Sequence, residues 1–115
     1  MEMLAPDARR FDVSPAWHSW VAQAPSLALL TEVGASALHA HALSLAGRFR
    51  AAVGLPPGDS AIVSLATAPG AEARLRARQV VGSVRAGRLR LAFHVNNTAE
   101  DADRAADALA GLVRG

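Results

Sequence analysis

The residue best suited to chemistry is an arginine in a short alternating segment near the C-terminus. From residue 88 to residue 95, large apolar side chains alternate with polar or small ones. This pattern predicts a strand with one apolar face and with Arg90 on the other face. A planar guanidinium can hold a carboxylate through two parallel charge-assisted hydrogen bonds. Arg90 is therefore the candidate binding residue; the open alternative is a surface arginine paired with an acid such as Asp101.

The other reactive side chains do not form a recognisable site. The chain has no Cys, which excludes disulfides, thiolate metal sites and cysteine nucleophiles. His39 and His41 are two residues apart on a predicted helix and point to different faces, so no metal site is predicted. All 12 basic residues are Arg, so no lysine can form a Schiff base. No residue of the chain is predicted to be catalytic.

The charge distribution does not favour a nucleic acid or a membrane as a partner. The net charge is only +2, and the arginines are spread along the chain among acids rather than clustered beside aromatic residues. No segment approaches the roughly 20 apolar residues of a membrane span, and the first ten residues lack the apolar core of a signal peptide. We therefore expect a cytoplasmic protein.

The elements that would position Arg90 follow the order helices, strand, helix, hairpin and helix. Helical pieces are expected to begin at Ser14, to meet near Ala24 because of Pro25, and to end at Gly34. The other patterns predict a helix at 35–53, a strand at 61–66 and a weak helix from Pro69-Gly70 to Arg78. Strands at 80–85 and 88–95, joined at Ala86-Gly87, are expected to follow. The last helix should start at a Thr98–Asp101 capping box, and its apolar stripe runs to Val113.

These elements predict an α+β fold of two layers. The sheet should be three-stranded and mainly antiparallel, with the helices packed on one face. Residues 1–13 are expected to be a lead-in linker, and residues 14–115 the folded domain.

The segment from Val84 to Arg104 resembles the C-terminal signature of class V aminotransferases, which belong to fold type I of the pyridoxal-phosphate enzymes. That signature has a strand with an Arg, a His four positions later, Tyr-Asn-Thr, and an acidic helix start ending in Asp-x-Asp-Arg. The residues in register with it are Arg90, His94, Asn97, Thr98, Asp101, Asp103 and Arg104. Upstream, Arg10-Phe11-Asp12 and Glu32-Val33-Gly34 are similar to the family's Arg-Phe-Glu and Glu-x-Gly, so the resemblance covers nearly the whole chain.

The resemblance implies a small C-terminal domain of a pyridoxal-phosphate-dependent enzyme that acts on an amino-acid-like substrate. The reaction could be amino-group transfer, or related lyase or epimerase chemistry. Arg90 aligns with the arginine that binds the substrate's α-carboxylate, and His94, Asn97 and Arg10 are possible supporting residues around it. Because no Cys-bearing loop joins the last two strands, sulfur mobilisation through a persulfide is not expected.

The resemblance also implies partners. The lysine and the phosphate site for pyridoxal phosphate would lie in a missing large domain, so this chain alone is expected neither to bind the cofactor nor to be catalytic. The full-length enzyme is expected to be a homodimer. The alternative is a stand-alone, non-catalytic binding or dimerisation module that retains this fold.

Overall fold

A computed structural model describes residues 16–114 of the chain. These residues belong to two units, divided between Glu32 and Val33. Helix α1 (Trp17–Val33) lies almost entirely in the first unit. The predicted linker at 1–13 and the predicted helix start at Ser14 lie outside the described residues.

Helix α1 is one continuous helix, so the predicted break near Ala24 is wrong. Pro25 lies inside it and removes one backbone hydrogen bond, to the carbonyl of Val21. Val21 is exposed, so water can satisfy that carbonyl. The cost of the proline is thus reduced locally, and the helix continues to Val33 before Gly34, whose φ is 86°.

The second unit combines helices with an antiparallel sheet. Its described elements are helices α2 (Ala35–Ala52), α3 (Ala71–Ala77) and α4 (Ala99–Leu109), and strands β1 (Ile62–Thr67), β2 (Ser83–Arg85), β3 (Arg88–Ala92) and β4 (Val113–Arg114). The strands lie in the order β2-β3-β1-β4, and all neighbours are antiparallel. From β1 onward this connectivity is that of the split βαβ motif. The α+β class is confirmed.

The sheet has four strands in the described residues, not the three that were predicted. The sequence pattern extended the last helix through Leu112 and Val113, but the helix ends at Leu109. Gly111 has a φ of 73°, the left-handed conformation that commonly ends helices. Val113 then pairs with Thr67, which covers an edge of β1 that would otherwise carry unpaired backbone groups.

The core lies between the sheet and helices α2, α3 and α4. The largest side chains that are less than 2% exposed come from both layers: Phe49, Val63, Leu65, Leu75, Leu89 and Leu109. The Phe49 and Phe93 rings pack with their centroids 5.7 Å apart. These helices therefore cover one face of the sheet, as predicted, and the residues that alternate with the core positions lie on the opposite, open face.

The hairpin between β2 and β3 forms at the predicted position. Ala86 and Gly87 both have positive φ, 50° and 72°, which is the conformation of a type I′ two-residue turn. Arg85 and Arg88 are the paired residues that close it. None of the helices in residues 16–114 combines the length and apolarity required to cross a bilayer.

Candidate functional site

Arg90 lies in the middle of the open face of the sheet. Its neighbours Leu89 and Leu91 are buried in the core, so alternation puts Arg90 on the face opposite the helices. Arg90 pairs with Ser64 of β1 on one side and with Ser83 of β2 on the other. Strands on both sides fix its backbone, and its side chain is half-buried. The predicted binding residue thus projects from a rigid part of the fold.

Two further arginines lie on the part of this face that β2 and β3 form, and Arg114, opposite Ala66 of β1, lies on the same face in β4. Arg85 and Arg88 are directly opposite each other at the hairpin end of β2 and β3. The Arg88 side chain crosses to β1, where its Nε donates to the Ser64 Oγ at 3.2 Å and its Nη2 to the Ser64 carbonyl at 3.1 Å. We call Arg85, Arg88 and Arg90 the arginine face. Like charges directly opposite one another destabilise a sheet, and the bonds to Ser64 hold the Arg88 charge towards β1, away from Arg85 on β2.

The described strands supply no acid to compensate the arginine face. Their sequences contain no Asp or Glu. Between residues 33 and 114, Asp59 lies in the loop before β1, and the other acids lie in α3 or α4. These two helices pack on the opposite face of the sheet.

Asp101, the alternative partner considered for Arg90, is engaged elsewhere. One carboxylate oxygen accepts from the Thr98 backbone N–H at 3.0 Å, and the other from Arg104 Nη1 at 3.3 Å. The Asp101 backbone N–H in turn donates to the Thr98 hydroxyl, so the predicted capping box is confirmed. In residues 16–114 Arg90 forms no ion pair.

The other predicted residues have structural roles where they are described. The His94 N–H donates to Asn97 Oδ1 at 2.9 Å, and the Asn97 N–H donates to the His94 carbonyl at 3.0 Å. The His41 Nε2 lies 3.0 Å from the Asn97 carbonyl oxygen. Asn97 therefore closes the turn between β3 and α4, and neither it nor His94 bonds to Arg90. Arg10 lies outside the described residues.

An open cavity of about 250 Å³ lies beside this turn. Phe93, Asn97, Asp101 and Arg104 are among its lining residues, but Arg90 is not. No cluster of three or more His, Asp or Glu side chains with metal-binding geometry occurs in residues 16–114. The cavity and the arginine face are therefore separate features.

An ion pair that the sequence pattern did not predict joins α2 to α4. Arg48 Nε and Nη2 donate to the two carboxylate oxygens of Asp103 at 2.6 and 2.8 Å. This pairing lowers the pKa of Asp103 and raises the pKa of Arg48. The hydrogen bond from the Thr98 backbone N–H is the main cause that lowers the pKa of Asp101.

The lowered pKa values of Asp101 and Asp103 make the stability of the fold depend on pH. A carboxylate whose pKa is lower in the folded state stabilises the fold above its unfolded pKa, about 4, and loses that contribution as the pH falls through the folded value. We expect the urea midpoint to be steady from about pH 7 to pH 5 and to fall below about pH 4. Asp103→Asn should flatten this fall, whereas Asp107→Asn, at an exposed position of the same helix, should not. An identical fall in Asp103→Asn and the wild type would contradict this expectation.

Comparison with known proteins leaves the family open. No protein-family model matches the chain, and searches of curated proteins and of solved structures found no match.

Proposed function

We propose that this chain is the substrate-recognition domain of a pyridoxal-phosphate-dependent enzyme of the class V aminotransferase type. The observation that carries the proposal is the position of Arg90. It stands at the centre of an open sheet face whose described strands contain no acid. A guanidinium that has no counter-ion among residues 16–114, held by paired strands on both sides, is suited to bind the carboxylate of an amino-acid-like substrate.

The domain supplies only part of such a site. Arg90 lies on an open surface, and a carboxylate bound there would remain in contact with water. Charge-assisted hydrogen bonds gain strength when water is excluded, so an efficient site needs a second surface that closes over this face. In the proposed enzyme the missing large domain provides that surface.

The exposed apolar side chains of helix α1 also favour a protein partner. Its apolar residues are distributed around its whole circumference, and Trp17 and Trp20 are 69% and 67% exposed. A helix that is apolar on all sides is usually buried. The large exposed apolar side chains are therefore consistent with a domain that packs against further protein.

The residues of this chain do not fit pyridoxal phosphate by themselves. The cofactor needs a lysine to hold its aldehyde, and the sequence contains none. The cofactor would supply the electron sink for the reaction at the substrate's amino-bearing carbon. The role that we propose for this chain is to orient the substrate through Arg90.

Reading the gene upstream of this chain and purifying the complete product tests the proposal. We expect an in-frame large domain with a lysine, and a full-length protein that retains pyridoxal phosphate after dialysis, seen as cofactor absorbance. The 115-residue chain, treated identically, should retain none. Stoichiometric retention by this chain, or a full-length protein without bound cofactor, would overturn the proposal.

The second candidate is a stand-alone binding or dimerisation module. The exposed apolar side chains of α1 favour this second candidate as much as the first, because a second copy of the chain could cover them. An in-frame stop codon directly upstream of Met1 would select this candidate over the first.

A further inference from the structure

We infer that the arginine face takes a ligand with two anionic groups, so that the substrate carries an acidic side chain besides its α-carboxylate. This inference rests on the proposed function: Arg90 binds the α-carboxylate, and Arg88 binds the second group. Arg85, on β2, adds positive potential to the same face of the sheet.

The position of Arg88 is fixed by contacts beside Arg90. Its guanidinium donates to the hydroxyl and the carbonyl of Ser64, and Ser64 is the residue directly opposite Arg90 on β1. Side chains at directly opposite positions of an antiparallel pair start about 4.5–5.5 Å apart. Ser64 therefore holds the Arg88 guanidinium within the reach of a small ligand that is bound to Arg90.

Arg88 keeps binding capacity after these contacts. A guanidinium has five N–H donors, and Ser64 occupies two of them. The remaining donors can bind a carboxylate or a phosphate without loss of the anchor. Because two guanidinium groups held close together repel each other, a ligand with two anions relieves more repulsion than a ligand with one.

The alternative occupant of a basic sheet face is a nucleic acid. Single-stranded nucleic acids usually bind through aromatic stacking platforms as well as charge. The described strands contain no aromatic residue, so the face favours a small anion.

Titrations of the 115-residue chain, followed by NMR of the arginine Nε–H signals, test the inference. The probes are glutarate, with two carboxylates, and butyrate, with one, at equal ionic strength. We expect glutarate to bind roughly threefold to tenfold more tightly than butyrate, since an additional charge-assisted contact forms on a partly exposed surface. Both probes should shift the Arg90 signal, and glutarate should also shift the Arg88 signal.

Substitutions at Arg88 and Ser64 test the site for the second anionic group separately from Arg90. Arg88→Gln should reduce glutarate binding to the level of butyrate and leave butyrate unchanged. Ser64→Ala, which keeps the charge but removes the hydroxyl anchor, should lose part of the glutarate preference. Arg78→Gln is the matched control, since Arg78 is exposed after α3 and outside the sheet, and it should change neither titration.

Each other outcome has a definite meaning. Equal binding of glutarate and butyrate, both abolished by Arg90→Gln, would overturn this inference and leave the proposed function intact. Failure of both probes to shift the Arg90 signal would count against the proposed function itself. Tighter binding of a deoxythymidine oligonucleotide than of glutarate would overturn the inference in favour of a nucleic-acid surface. A third titration, with 3-phosphonopropionate in place of glutarate, distinguishes a phosphate-like second group on the ligand from a second carboxylate.

Discussion

Arg90→Ala in the full-length enzyme that we propose should lower kcat/KM for an amino-acid substrate about tenfold to a hundredfold or more. A hydrogen bond to a charged group contributes roughly 1.5–3 kcal/mol, and each 1.4 kcal/mol corresponds to a factor of about ten in rate. The fold should survive, because the Arg90 side chain lies on the face away from the core. Bound cofactor and circular dichroism should therefore match the wild type.

The descarboxy amine analogue of the substrate is the control for this prediction. It lacks the group that Arg90 is proposed to hold, so Arg90→Ala should hardly change its turnover. Arg90→Lys should recover little activity on the amino acid, since a point charge does not reproduce two parallel hydrogen bonds. If Arg90→Ala slows the turnover of the amino acid and of the amine equally, Arg90 does not bind the substrate's carboxylate.

Phe49→Ala should destabilise the 115-residue chain by about 3–5 kcal/mol. Phe49 is completely buried on α2, and its ring packs against that of Phe93 on the segment after β3. The substitution therefore leaves a cavity between the helical layer and the sheet. Small domains are stable by only about 5–15 kcal/mol, so the urea midpoint should fall by a large fraction of its value.

Val81→Ala is the comparison for the core variant. Val81 is apolar but 91% exposed, and substitutions at such sites usually stay within about 0.5 kcal/mol. Equal destabilisation by the two substitutions in equilibrium urea unfolding would contradict the core described above.

The parts of the fold that were predicted correctly have local causes. The hairpin turn at Ala86-Gly87 and the capping box of Thr98 and Asp101 each depend on residues within a few positions of one another. Alternation likewise placed Arg90 opposite the apolar face of its strand. Nearby residues determine such features, so a single sequence suffices to predict them.

The parts that were missed depend on distant residues. β4 exists because Val113 pairs with β1 across the whole domain. Gly111 is a local signal for the end of the helix, but no local pattern predicts the pairing of Val113 with Thr67. The Arg48–Asp103 pair joins two helices whose relative placement no periodicity encodes. The continuous helix α1 is an exception, because Pro25 is accommodated locally, at an exposed position where water can satisfy the carbonyl that the proline frees.

The arginine face was only partly predictable for the same reason. The sequence indicated Arg90. Arg85 was a further candidate for contact with an anion, although a solvated surface position was the favoured interpretation, and Arg88 was expected only to be exposed beside the turn. Their juxtaposition depends on the strand register, and the anchoring of Arg88 depends on Ser64, which lies more than twenty residues earlier in the chain. Arginines that are dispersed along the chain thus form a cluster only in the folded sheet, whose described strands contain no acid.

The sheet order also has a consequence for the time course of folding. β1 is an interior strand, but both of its partners follow it in the chain, and its outer edge pairs with Val113 and Arg114. During synthesis the β2–β3 hairpin can form early, whereas β1 keeps an unpaired edge until residue 114 has left the ribosome. Contacts of such sequence separation slow folding, and an open strand edge can associate with other chains. The nascent chain is therefore most prone to aggregation in the interval before Val113 and Arg114 emerge and pair with β1.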